Sequence, residues 1–150
     1  MKRIILLPLL CYLSFGVNAQ DFSLNFTSVE KFLTLNYSLQ KIESSLKPNY
    51  LNVSKNESEW KFRDDNKSWE AVLYVQFNSQ TKAVNEIAFY IPFARVFEFM
   101  DELKDKLGYT YLGNQDGMEI YENAKNKLGA KIVFTEATGE KMYYCRLFKK

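Results

Sequence analysis

Between Trp69 and Phe77 apolar side chains fall on alternate positions: Ala71, Leu73, Val75 and Phe77 on one side, Val72, Tyr74 and Gln76 on the other. That period of two predicts a half-buried β-strand. A polar turn at 78–83 leads to a second alternating run, 84–91, in which Ile87, Phe89 and Ile91 oppose Ala88 and Tyr90. From Pro92 to Leu107 the period becomes helical. Phe93, Val96, Phe97, Phe99, Met100, Leu103 and Leu107 form a wide apolar stripe, and Gly108 is a natural stop. Pro92 suits the first turn, where its missing N–H has no partner to lose. The polar side carries Glu98, Asp101, Glu102, Lys104, Asp105 and Lys106, with Glu102 and Lys106 at a pairing distance along the helix.

The flanking segments repeat this plan less clearly. Thr27-Ser28-Val29-Glu30 has the capping-box pattern, with Thr27 as cap and Glu30 reaching back. Val29, Phe32, Leu35, Leu39, Ile42 and Leu46 then predict one helix, stopped by Pro48. Residues 49–58 read as a polar loop with a short strand at 50–53. Trp60 and Phe62 share a face of the run 59–63, and 64–67 is turn chemistry. After Gly108 come a strand at 109–112, a turn at 113–117, and strands at 118–121, 130–135 and 142–148. A shift of roughly sixty residues, about one small supersecondary unit, lays Leu73 and Val75 on Ile132 and Phe134. It also lays Ile87, Phe89 and Ile91 on Tyr143, Cys145 and Leu147.

Two amphipathic helices must each bury a stripe, and an antiparallel sheet can bury one face only. The expected architecture is therefore α+β: a tandem αβββ plan, with half-repeats 27–91 and 92–150. Its antiparallel sheet has six or more strands, with both helices packed on one face. The helix-facing set is Trp60, Phe62, Leu73, Val75, Phe77, Ile87, Phe89, Ile91, Met118, Ile120, Ile132, Phe134, Tyr143, Cys145 and Leu147. The opposite face then takes Arg63, Val72, Tyr74, Ala88, Tyr90, Glu119, Tyr121, Lys131, Val133, Tyr144, Arg146 and Phe148. Tyrosine and arginine among a few aliphatics is the composition of binding hot spots. The candidate binding residues are accordingly Tyr74, Tyr90, Tyr121, Tyr144, Arg146, Val72 and Val133. The competing reading is that these side chains pair across strands only to stabilise the sheet, or that a loop covers them.

The N-terminus bears on location. Lys2 and Arg3 precede the apolar run 4–17, and Val17-Asn18-Ala19 offers a signal-peptidase site. Residues 1–19 are expected to be a cleaved signal peptide, leaving a single domain at 20–150 in the periplasm or medium. The 20 basic residues fall to 18, against 18 acidic, once the two in the leader are removed. With no basic surplus, nucleic acid is a poor partner. Cys145 is the one cysteine left after cleavage, so an internal disulfide is excluded and burial is its expected state.

Chemistry is sparse. The chain has no histidine, which removes the usual general base and the commonest metal ligand. It has no phosphate loop and no nucleophile elbow. Asp64-Asp65 and the acidic positions of the second helix read as surface charge. No cofactor, metal site or catalytic residue is indicated, and an enzyme is not expected. The tandem αβββ plan in a small exported chain resembles, in architecture, the secreted β-lactamase inhibitor proteins, although those use disulfides that this chain lacks. The resemblance implies a sheet face presented to a protein partner. The expected function is a non-enzymatic protein-binding module, such as a periplasmic immunity or inhibitor protein neutralising a toxin or hydrolase. The alternative is a module that holds a small ligand or envelope component in an aromatic-lined groove.

Overall fold

In the computed structural model the described residues are 24–47, 49–64, 72–137 and 140–150. The leader at 1–19, Pro48, the turn at 65–67, the strand start at 69–71 and the connection at 138–139 lie outside them. The chain runs α1 (Phe26–Thr34), α2 (Leu39–Leu46), β1 (Leu51–Lys55), β2 (Glu59–Arg63), β3 (Val72–Phe77) and β4 (Val84–Pro92). A 3-10 turn (Phe93–Arg95), α3 (Val96–Asp101) and a π turn (Glu102–Lys106) follow. Then come β5 (Thr110–Gln115), β6 (Met118–Asn123), β7 (Leu128–Ala137) and β8 (Glu140–Lys149).

The eight strands make one antiparallel sheet in the order β1-β2-β3-β4-β8-β7-β6-β5. The two halves meet at the β4–β8 seam, where Phe89 stands opposite Cys145. Each half supplies four strands, one more than the αβββ plan counts; the edge strands β1 and β5 are the short strands expected at 50–53 and 109–112. Both edge strands are interrupted by a register shift, between Asn52 and Ser54 and between Tyr111 and Gly113. Such bulges discourage pairing with another chain.

The helices pack on the face that carries Phe89. The rings of Phe26, Phe89 and Phe99 join α1, β4 and α3, with centroids 5.3–6.4 Å apart. Leu73, Val75, Ile87, Ile91, Ile132, Cys145 and Leu147 are fully buried around them, as the alternation predicts.

The single N-terminal helix expected from the stripe is two helices. Asn36 takes a left-handed conformation (φ 49°). Its N–H bonds to Leu33 O and that of Tyr37 to Phe32 O, a Schellman ending. The Phe32 and Tyr37 rings, 5.7 Å apart, supply its apolar contact. Ser38 then caps α2 by accepting from Lys41 N at 3.2 Å. The break turns Leu35, expected in the stripe, out to 59% exposure.

The capping box is also displaced. Asn25 is the cap of α1, accepting from Ser28 N at 2.8 Å. Thr27 serves a different partner, because Glu102 reaches across from the π turn. Its carboxylate accepts from Phe26 N (3.0 Å), Thr27 N (3.2 Å) and Thr27 Oγ1 (2.5 Å). Glu102 therefore does not sit on a solvated face beside Lys106. It is a buried anion at the positive end of α1, where the free N–H groups and the macrodipole favour it. Glu30 is buried rather than reaching back to the cap. Its Oε1 accepts from Asn126 Nδ2 (3.2 Å) and Asn123 Nδ2 (3.4 Å), tying α1 to the β6–β7 turn.

The second helix region exposes part of its stripe. Val96, Phe99 and Leu103 are buried, but Phe93 is half exposed and Phe97 is 78% exposed. Phe97 follows Val96 and is therefore rotated from it by roughly 100°. A stripe that wide cannot fit wholly against a sheet. Phe93 packs instead beside Phe134 and Tyr143, at 6.2 and 6.1 Å, beyond the main core. Phe134, expected to face the helices, is 46% exposed there.

Candidate binding face of the sheet

No strand position on the face opposite Phe89 takes part in the helix-packed ring cluster, so this face is built by strand register alone. Antiparallel pairing lines its residues up in rows across the strands. One row is apolar and aromatic, with Arg63 of β2 at its end, paired with Val72. Tyr90 pairs with Tyr144, Tyr144 with Val133, and Val133 with Met118. The β3–β4 register, carried one step beyond Leu73–Phe89, places Val72 opposite Tyr90. The second row is basic: Lys61–Tyr74–Ala88–Arg146–Lys131–Ile120. The third is Glu59–Gln76–Glu86–Phe148–Gly129–Glu122.

The three tyrosines form one aromatic unit. Tyr90 lies 5.0 Å from Tyr144 and 6.5 Å from Tyr74 between ring centroids. All three are half-buried, and Ala88 beneath them is fully covered. Arg146 makes two hydrogen bonds of 2.7 Å to Glu86, from Nε to Oε1 and from the second terminal nitrogen to Oε2. That fork fixes the guanidinium beside Tyr144. The ammonium groups of Lys61 and Lys131 lie over the rings of Tyr74 and Phe148, at 5.3 and 5.6 Å. The Phe148 ring occupies the space that a side chain at Gly129 would need.

Of the seven candidate residues, register brings six to this face: Val72, Tyr74, Tyr90, Val133, Tyr144 and Arg146. Tyr121 is on the other side. It is 2% exposed, pairs with Ala130, and donates its hydroxyl to Glu119 at 2.6 Å. Glu119 is likewise on the helix side, while Met118 and Ile120, expected there, join the open face. The cause is the hairpin before β6. Strand β5 runs on to Gln115, and the turn is only Asp116-Gly117, both left-handed (φ 53° and 80°). Apolar content favours Met118 and Ile120 inside, but the register gives the covered positions of β6 to Tyr121 and Asn123, 2% and 4% exposed. Lys61 was legible on this face from the alternation of Trp60 and Phe62, yet it was not among the candidates.

Burial pushes the Tyr144 hydroxyl up to about 12, against a smaller opposing effect of Arg146. Burial, then the neighbouring Tyr74, also raises Tyr90. These phenols stay protonated at neutral pH and act as hydrogen-bond donors and contact area. Burial likewise pushes the Cys145 thiol well above its ordinary value, which makes it a poor nucleophile. Among the described residues no group of three or more Cys, Asp or Glu side chains converges to hold a metal ion. None of their helices is long and apolar enough to cross a membrane. Comparison with protein-family models, with curated proteins and with solved structures finds no match to the chain.

Proposed function

We propose that the chain is an exported, non-enzymatic protein-binding module that engages its partner through the tyrosine-bearing sheet face. An immunity or inhibitor protein that occludes a toxin or hydrolase is the concrete form of this reading. The observation that supports it is the continuous row Val72–Tyr90–Tyr144–Val133–Met118 across the centre of the sheet, on the side away from the helices. Half-buried aromatic rings that already hold one another offer large contact area with little rotamer entropy left to lose. A ligand-holding module would instead need walls that close a cavity around these rings.

The test is capture from the native envelope with the tagged chain, in three forms: wild type, Tyr90→Ala and Phe97→Ala. The expected result is a stoichiometric partner lost with Tyr90→Ala and kept with Phe97→Ala. A partner lost only with Phe97→Ala moves the interface to the helix side and overturns the proposal. So does a small molecule that co-purifies with wild type and is lost with Tyr90→Ala.

A further inference from the structure

We infer that the partner segment seated on this face is amphipathic, with an apolar stripe for the tyrosine row and carboxylates along the flank that meets the basic row. The inference rests on the proposed protein-binding role and concerns what the face selects. Its basis is an imbalance in how the face uses its own charges. Among the described side chains there, each carboxylate already has a hydrogen-bond partner. Glu59 Oε2 accepts from Gln76 Nε2 at 3.1 Å, Glu86 is forked by Arg146, and Glu122 Oε1 accepts from Lys150 at 2.6 Å. Among the described residues Lys61 and Lys131 have no carboxylate within ion-pair distance; their ammonium groups meet only ring faces. The unpaired cations lie in the row next to the apolar one, and the satisfied anions lie one row farther away.

A cationic flank laid against the apolar row would face Lys61 and Lys131 and be repelled. An anionic flank would find its charges matched where neighbouring apolar surface weakens screening. The dimensions suit a short helix lying across the strands. Val72 to Met118 is four strand spacings, from β3 through β4, β8 and β7 to β6. At about 4.8 Å each this is roughly 19 Å, the length of about 13 helical residues. Adjacent rows lie two residues apart along a strand, roughly 6.7 Å. That is close to the separation of neighbouring ridges on a helix.

The test uses two synthetic peptides of about 13 residues, the length set by the helix rise. They share a leucine stripe and carry either glutamate or lysine along its flank. Each is titrated into the full chain and followed by backbone amide shifts. The glutamate peptide is expected to bind at least about tenfold more tightly and to weaken as salt is added. Its shifts should map to Tyr90, Tyr144 and Val133. The double variant Lys61→Glu/Lys131→Glu should reverse the preference, and Lys61→Gln/Lys131→Gln should abolish it. Both are surface changes whose folding the same spectra check. Equal binding of the two peptides, lost together with Tyr90→Ala, overturns the acidic flank while leaving the docking face intact. Binding of neither peptide, or of phosphatidylglycerol vesicles in their place, overturns the inference; the envelope capture then decides the docking face separately.

Discussion

The two halves of the chain share an order of elements but not a core. Phe62 in β2 pairs with Leu73, which pairs with Phe89. In the other half Glu119 in β6 pairs with Ile132, which pairs with Cys145. Phe89 and Cys145 face each other across the seam, so Phe62 and Glu119 stand equally far from it. Phe62 is 1% exposed and packs against Trp60, whereas Glu119 carries a charge and a hydrogen bond to Tyr121. The difference follows the helices. The first half brings α1 and α2; the second brings only six α-helical residues and a π turn. Topology repeats across the seam, but covering does not, and covering decides which positions become core.

The strongest way to break this comparison is at the seam. Phe89→Ala removes the ring that joins α1 and α3 to the sheet, where Phe26 and Phe99 leave no room to collapse. The expected loss is about 3–5 kcal/mol, read as a fall in the urea midpoint. A loss under about 1 kcal/mol would mean that the ring cluster is not the joint between the halves.

The same contrast explains what the sequence made legible. Strands β3, β4, β8 and β7 are the middle of the sheet, with α1 on β4 and β8 and α3 on β4, and their alternation assigned Leu73, Val75, Ile87, Phe89, Ile132, Cys145 and Leu147 correctly. Six of seven candidate residues followed from that parity. Tyr121 did not, because the two-residue turn at Asp116-Gly117 shifts β6 by one position and carries the Tyr121 ring into the helix-side core. The break after Thr34 was also hidden, since Leu35 fits the helical period and only Asn36 followed by Ser38 signals the stop. Glu102 carries no local sign of its role. Its partners are 75 and 76 residues away, and no helix-surface pattern encodes that distance.

Glu102 is the next test, because it is a polar joint from the second-half helix to the first. Glu102→Ala leaves the N–H groups of Phe26 and Thr27 and the Thr27 hydroxyl without their acceptor. The expected cost is about 1–3 kcal/mol. Hydrogen exchange should quicken at the start of α1 before it does in β3 or β4. Exchange that quickens uniformly would show that the cap fastens nothing local.

Alkaline pH probes both halves at once. Burial and then the Asp64 charge raise Tyr50 to about 12. Burial, against Arg146, raises Tyr144 to about 12 as well. A phenol whose folded value exceeds its unfolded one binds its proton more tightly when folded. Its stabilisation is complete below about pH 10 and is lost as pH rises from 10 to 12. Urea midpoints should fall across that window. Tyr50→Phe and Tyr144→Phe should each flatten the fall, and an unchanged slope in both would place the pH sensitivity elsewhere.

The smallest effect is expected where the halves differ most. Phe62→Ala should cost about 3–5 kcal/mol. Its counterpart Glu119→Ala removes one hydrogen bond to the Tyr121 hydroxyl and no packed ring. The cost should therefore be about 1–3 kcal/mol, the loss of an acceptor from a buried hydroxyl, and below that of Phe62→Ala. A second readout separates this from a silent surface change. Burial is the largest cause holding Tyr121 above its ordinary value, and the bond to Glu119 and its charge come next. Glu119→Ala should therefore bring the Tyr121 titration down part of the way, with burial still holding it high. A variant that costs as much as Phe62→Ala would show that β6 is covered as fully as β2, and the inequality between the halves would be lost.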